Sequence, residues 1–519
     1  MRVAAPLLLC LASLANAFFP SSYLKGAPSQ DLCPIPPDPY ASPSQVKVKL
    51  MTALEQLTKD ISELVKNDVG GTVVNVVYRD AVIWSKGFGV KNMSASGPEN
   101  IVDGDSIFRI GSVTKVFTAM MMLQLRDMGS IDSLYSDVTT VLPELKIKNP
   151  FKHKRSITFD QLASHMSGLP RETPCPSIFF EGCNASFNEI YANLSRMELT
   201  YPPGTWPQYS NLGVAVLGRA LEKVAGDTWE HMLERMILKP LGMSSTGIKP
   251  NVMNHLAVGY APDGTVAKLI DIGFEAPAGQ LYSTANDLSK LMMSIMNNID
   301  PLFPSNNSLL DSETLREWMQ PVYMYKDGRG FGRPWELVPI TNYTLRTKGG
   351  SINGYSAEFI MAPEIKTGVV IMSSCLGCPS FRNVTERGMA MISTLSSHLF
   401  DTDLLPPVNL PLNLQEFVGS YTGKVFPGRK DVLSVAVGEL HGQKVLLGHL
   451  GDFAVKLDWK PDMAKDMFQI SGRGSWPLPC PFISAGMLGQ YVEFLRDTSG
   501  EINGMIIEGL FPGIIFVKS

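Results

Sequence analysis

Helical periodicity fills the middle of this 519-residue chain and stops at a proline-rich stretch, 401–414, that holds Pro406, Pro407 and Pro411. Beyond it lie short strand-like runs at 432–437, 444–447, 491–495 and 504–508, so residues 415–519 form a separate all-β domain. Before it, β-branched and aromatic runs at 73–78 and 81–84 flank Arg79-Asp80, a hairpin signature. Strand-like text returns at 355–361 and 367–372. Between them the apolar spacing predicts helices over 114–128, 211–224, 228–237 and 284–296, with Gly129 and Gly226 as stops, and another over 46–66. Strands so far apart in sequence pair only if a sheet encloses a helical middle, which makes residues 46–400 an α+β domain.

The N-terminal end carries a different signal. After Arg2, residues 3–19 are uncharged, include Leu7, Leu8, Leu9, Leu11 and Leu14, and contain Ala15-Asn16-Ala17. An apolar segment ending in small residues predicts a secretory signal peptide over 1–17, cleaved after Ala17; an uncleaved anchor would need a span of about 20 residues. No other segment is long and apolar enough to cross a bilayer. Residues 18–45, with Pro34, Pro36, Pro37 and Pro39, form an extended leader. Of seven cysteines, Cys10 lies in the signal and six remain, an even number that allows full pairing. Cys175 with Cys183 and Cys375 with Cys378 are near enough for local bridges, leaving Cys33 with Cys480; Cys375-x-x-Cys378 lacks the layout of a redox motif. Glycosylation sequons stand at Asn92, Asn184, Asn193, Asn306, Asn342 and Asn383, predicting six solvent-facing side chains on a secreted, extracellular protein.

Charge and motif content exclude several classes of function. Lys plus Arg number 45 against 49 Asp plus Glu, a net charge of −4, and the densest basic run, Lys152 to Arg155, is a solvated loop, so nucleic acid is not an expected partner. Seven scattered histidines form no metal-ligand pattern, and neither a phosphate loop nor a dinucleotide fingerprint is present, so no metal and no cofactor is expected. A Gly-x-Ser-x-Gly elbow is missing as well. The run Met120, Met121, Met122 reads as core.

Chemistry concentrates in three segments. Gly111-Ser112-Val113-Thr114-Lys115 opens the 114–128 helix and places Ser112 and Lys115 three apart, on one face, where an amine touches a hydroxyl. A desolvated lysine near a second positive charge loses its proton more readily and takes the serine proton as a base. Pro203 to Asn211 sets Tyr209 and Asn211 in a loop ahead of a helix, and Thr347 to Tyr355 sets Lys348, Gly349, Gly350 and Ser351 at the edge of a returning strand.

In this order and at these separations the segments resemble the beta-lactamase-related serine hydrolases: penicillin-binding proteins, ampC-like beta-lactamases and related esterases, here in a eukaryotic secreted form. His165-Met166-Ser167-Gly168-Leu169-Pro170 and Ala278 to Leu288 resemble two further motifs of that family. The Tyr-x-Asn form of the second segment is similar to the branch without Ser-Asp-Asn. The resemblance implies a beta-lactamase/transpeptidase-like domain, an antiparallel sheet with a helical subdomain, followed by a small barrel-like β domain opening at Phe417-Val418-Gly419-Ser420-Tyr421. It implies acyl transfer through an acyl-enzyme, with Ser112 as nucleophile, Lys115 as its base and Tyr209 as a second proton shuttle. Asn211 would orient Lys115, Lys348 would supply positive potential for an anionic group of the substrate, and Gly350 would let the N–H groups of Ser112 and Ser351 form an oxyanion hole.

One departure bears on the substrate. Lys348-Gly349-Gly350 stands where lactamases commonly show Lys-Thr-Gly, deleting a hydroxyl that binds substrate carboxylate, which favours another ester, amide or peptide. The expected partner is thus a small-molecule or peptide substrate. A catalytically silent secreted binding protein that keeps the fold, and an acyl transferase, are the alternatives. The segment around Cys175 and Cys183, with Phe179 and Phe180, is expected to cover the cleft. No oligomeric state is read from the sequence.

Overall fold

The computed structural model describes residues 42–398 and 413–519, apart from 176–180, 250–254, 300–307, 341–342, 426–430, 441–442, 451–452, 460–463 and 472–489. The predicted signal peptide, most of the leader and linker, Phe179, Phe180, Cys33, Cys480 and the sequons at Asn306 and Asn342 lie outside the described residues. The chain divides into two compact units, one spanning residues 42–399 and the other carrying residues 413–519.

The first unit is built on an eight-stranded antiparallel sheet. Its strands are β1 (Gly71–Tyr78), β2 (Ala81–Gly89), β3 (Tyr323–Met324), β4 (Gly330–Phe331), β5 (Glu336–Ile340), β6 (Tyr343–Ile352), β7 (Tyr355–Ala362) and β8 (Thr367–Ser373), in the order β2-β1-β8-β7-β6-β5-β4-β3. β1 is buried along its whole length, as is β8, which it meets in the register Val74↔Ile371. The near-continuous Val run of β1 follows from that burial on both faces. Asn75 interrupts it, and its amide nitrogen donates to Asn286 Oδ1 (3.1 Å) and Ser289 Oγ (3.2 Å).

Helices cover the sheet. α1 (Pro43–Lys49) and α2 (Met51–Val65) replace the single expected helix over 46–66: Ser42 and Gln45 form a capping box inside the expected leader, and the chain breaks at Leu50. α3 (Thr114–Asp127) buries every residue from Thr114 to Leu125, an all-round burial that marks the centre of the core rather than an amphipathic surface helix. Met120, Met121 and Met122 lie in that core. α4 (Asn211–Ala225) ends at Gly226 in the left-handed conformation, φ 63°. The helix expected over 228–237 runs from Trp229 to Leu241 through a wide π turn at Glu234–Leu238. α5 (Ala285–Asn297) packs on β1, and α6 (Ser380–His398), absent from the sequence expectation, packs on β8.

In the second unit β9 (Gly419–Gly423), β10 (Asp431–Leu440), β11 (Gln443–Leu450), β12 (Phe453–Asp458), β13 (Met467–Ser471), β14 (Tyr491–Arg496), β15 (Ile502–Ile506) and β16 (Ile515–Lys518) form an antiparallel barrel, closed by β9 against β16. Its core contains Phe417, whose ring centroid lies 4.9 Å from those of both Phe468 and Phe494. The Tyr421 hydroxyl donates to Phe417 O at 2.8 Å, which satisfies a buried phenol and fixes the entry to β9.

Candidate active site

β5 pairs with β6 as far as Glu336↔Thr347, so among the described residues no strand covers the outer edge of β6 from Lys348 to Ser351. That edge abuts the turn Gly111–Val113 that leads into α3. The two glycines at the contact are steric requirements. A Cβ on Gly350 would fall 2.0 Å from Ile110 O and 3.0 Å from Ser112 N, and one on Gly111, at φ 47°, would fall 2.8 Å from Ser351 N. Absent side chains thus let the Ser112 and Ser351 backbones come together.

Ser112 is half-buried and Lys115 is fully buried. Lys115 Nζ donates to Ser112 Oγ at 2.9 Å, Asn211 Oδ1 at 2.7 Å and Ala278 O at 2.7 Å, and the Tyr209 phenol is also in hydrogen-bonding reach. Two of these, a side-chain amide oxygen and a backbone carbonyl, accept and cannot donate, while the hydroxyl does either. In this arrangement the amine donates to all three oxygens and touches the hydroxyl whose proton it would take. Burial, reinforced by the Lys348 charge and opposed by Tyr209, lowers the Lys115 pKa from the usual lysine value. Asn211 is held in the orientation this needs, because its amide nitrogen donates to Glu172 Oε2 at 2.8 Å.

Tyr209 enters from the loop before α4 with its phenol in hydrogen-bonding reach of Ser112 and Lys115. Burial alone would raise its pKa, but the Lys115 and Lys348 charges and these hydrogen bonds outweigh it and bring the phenol down to about 8. The ring is braced by His165, 4.3 Å between centroids, and His165 Nδ1 accepts the Ser210 N–H at 3.2 Å. Burial first, then the charges of Lys115, Lys348 and Arg171, hold His165 well below the usual imidazole range, so it braces as a neutral ring.

The structure brings all the sequence-selected residues Ser112, Lys115, Tyr209, Asn211, Lys348, Gly350 and Ser351 to one place. Lys348 Nζ lies 5.1 Å from the Tyr209 ring centroid. It also donates to Glu336 Oε1 at 2.6 Å and Gly349 O at 2.8 Å. Burial would lower its pKa, yet the charges of Tyr209, Glu336 and Glu358 raise it above the ordinary lysine value. Glu172, Glu336 and Glu358 escaped sequence reasoning. Glu336 could have been found by reading 336–340 and 343–347 as a hairpin across Thr341-Asn342.

A cavity of about 490 Å³ opens beside Ser112 and is walled by Ile270, Ile272, Ile352 and Leu376. Cys183 borders this wall, its N–H donating to Asp271 O at 2.8 Å, and it is bridged to Cys175; Cys375 is bridged to Cys378. Asn184 and Asn383 are exposed, whereas Asn92 and Asn193 are half-buried. The Asn92 side-chain oxygen accepts the Ser94 N–H at 2.9 Å and the Tyr260 O–H at 3.4 Å. Among the described residues no three His, Cys, Asp or Glu side chains are grouped to hold a metal ion, and no helix is long and apolar enough to cross a membrane.

The mixed helix-and-sheet domain, with Ser112, the buried Lys115 and Tyr209 gathered at one sheet edge, has the architecture of the beta-lactamase-like proteins. The family model described as Beta-lactamase matches residues 54–390, and the chain belongs to that family. Beta-lactamase-like protein 2 of Dictyostelium discoideum is 36% identical over 335 residues, covering 62% of this chain and 60% of its own length. The chain therefore spans about three fifths of that relative. A beta-lactamase/D-alanine carboxypeptidase from Yersinia pestis, solved with citrate, superposes with a TM-score of 0.55 at 25% identity, covering 66% of this chain and 97% of its own. An octameric penicillin-binding protein homologue from Pyrococcus abyssi reaches 0.56 at 21% identity and covers 90% of this chain and 100% of its own.

Proposed function

We propose that the protein is a secreted serine hydrolase that cleaves an ester, amide or peptide through an acyl-enzyme on Ser112. In this reading Ser112 Oγ adds to the acyl carbon while its proton passes to Lys115 Nζ. The N–H groups of Ser112 and Ser351 hold the oxyanion, each such donor contributing about 3 kcal/mol to the transition state. Collapse breaks the bond to the leaving alcohol or amine, which receives the proton through Tyr209. Water then gives a proton to the Tyr209 phenolate and attacks the Ser112 ester, and the acid is released as Ser112 Oγ takes that proton from Tyr209, restoring the serine. The apolar cavity takes the apolar part of the substrate.

The observation that carries this reading is the contact of the buried Lys115 amine with Ser112 Oγ at 2.9 Å, with the Tyr209 phenol in hydrogen-bonding reach of both. A fluorophosphonate probe followed by intact mass tests it. One adduct on the native protein, absent from Ser112→Ala, is expected; equal labelling of both would refute it. Export is supported by the apolar run before Ala17 and by the two disulfides. Sequencing the N-terminus of protein collected from the medium of eukaryotic cells should begin after Ala17, and retention of the intact chain in the cells would refute export.

A further inference from the structure

The Lys348 end of the cleft is built unlike a receptor for an anion. Lys348 is 1% exposed, and its ammonium is already engaged by Glu336 Oε1 at 2.6 Å and Gly349 O at 2.8 Å. Two of its three N–H bonds are thus committed, and its charge is already met by a carboxylate that the fold itself supplies. The next position, Gly349, has no side chain, and the space where one would stand is held by Glu358, directly opposite on β7. A Cβ on Gly349 would fall 3.0 Å from Glu358 Oε1 and 3.5 Å from Glu358 Oε2. Among the described residues Glu358 makes no hydrogen bond and no ion pair, so two carboxylates share this end with one ammonium. Burial first, and then the charge of Glu336, pushes the Glu358 carboxyl up to about 7. A cation placed between them would relieve both costs.

A second feature points to the same ligand chemistry. Phe331 stands opposite Glu336 in the β4–β5 pair, and Tyr323 stands opposite Phe331 in the β3–β4 pair. The Trp206 ring, 45% exposed, meets Tyr323 at 5.5 Å between centroids. Aromatic faces beside carboxylates suit a weakly hydrated ammonium. Of the other cations near the cleft, Arg171 is paired with Glu172 at 2.8 Å, Lys115 is turned to Ser112, Asn211 and Ala278 O, and Lys268 lines the cavity with Ile352 and Asn353, at the far end of β6.

Resting on the hydrolase reading above, we propose that Glu358, with Glu336, makes the Lys348 end of the cleft select a leaving group bearing a primary or quaternary ammonium and reject one bearing a carboxylate. Glu358 acts as a specificity-determining residue and takes no proton in the reaction.

Three butyrate esters test this, with choline, its uncharged isostere 3,3-dimethylbutanol, and 4-hydroxybutyrate as alcohols, assayed with the full chain at low salt. The choline ester should exceed the isostere in kcat/KM by about tenfold, a cation–π and charge contribution of ordinary size, and the carboxylate ester should fall below both. In Glu358→Gln the choline-to-isostere ratio should drop severalfold; taken within each variant, the ratio cancels any general loss of activity. A ratio near one in the native protein, a ratio unmoved by Glu358→Gln, or preference for the carboxylate ester would overturn the inference while leaving the hydrolase reading intact. If no ester turns over, the same ratio is read from the rates at which choline-bearing and dimethylbutyl-bearing phosphonates modify Ser112. Failure of both phosphonates to modify Ser112 would overturn the hydrolase reading and this inference together.

Discussion

Gly350→Ala should disable the protein with little effect on its core, and the size of the loss follows from one contact. The added Cβ would sit 2.0 Å from Ile110 O and 3.0 Å from the backbone nitrogens of Ser112 and Val113. These are main-chain atoms, so no rotamer change relieves the clash, and the β6 edge must withdraw by about 1 Å to restore ordinary contact. That displacement stretches a hydrogen bond of about 2.9 Å from either backbone donor to near 4 Å, where it no longer holds an oxyanion. Losing one donor is worth about 3 kcal/mol, or roughly a hundredfold in kcat. Gly349→Ala is the matched control. Its Cβ would meet the Glu358 carboxylate at 3.0 Å, the far end of a flexible side chain, so its loss should stay within about fivefold. Steady-state kinetics on one chromogenic ester, with thermal unfolding as a check on folding, reads both variants. Gly350→Ala within threefold of the native protein, or equal losses in the two variants, would refute the reasoning.

Other consequences can be checked with the same protein. Lys115→Met removes the base and leaves Asn211 Oδ1 and Ala278 O without their donor, so kcat should fall about a thousandfold, measured by ester hydrolysis and by the rate of phosphonate labelling. Because the Tyr209 phenol is brought down to about 8 and works as a base when deprotonated, kcat/KM should rise with pH through a limb centred near 8; Tyr209→Phe should abolish that limb in a pH–rate profile. The Cys175–Cys183 bridge closes a loop with a sequence separation of 8, so Cys175→Ser with Cys183→Ser should cost about 2–3 kcal/mol in urea unfolding.

Local signals carried much of the scaffold. The Arg79-Asp80 turn lies between β1 and β2, and α3 and α4 start within a residue of where their apolar spacing begins, because those elements bury contiguous stretches of chain. α6 was hidden: Val384, Ile392 and Leu395 are its fully buried apolar anchors, set among polar residues, and Gly388 is there for close approach to Ile371 and Val369 rather than for helix propensity. The break at Leu50 was equally silent, since apolar spacing continues across it. In the site, Ser112, Lys115, Tyr209 and Lys348 stood out through motif order. Glu336 and Glu358 did not, because a carboxylate acquires its role here from cross-strand register, with Glu358 opposite Gly349 and Glu336 opposite Thr347. His165 was visible as a motif letter, yet its bracing of Tyr209 needed coordinates.

Rapid mixing with an activated ester tests the central claim most directly. One equivalent of alcohol should be released in a burst, and quenched protein should carry the acyl mass on the peptide containing Ser112, in the native chain and not in Ser112→Ala. Linear release with no acylated peptide, or acyl mass on another residue, would contradict a covalent route through Ser112.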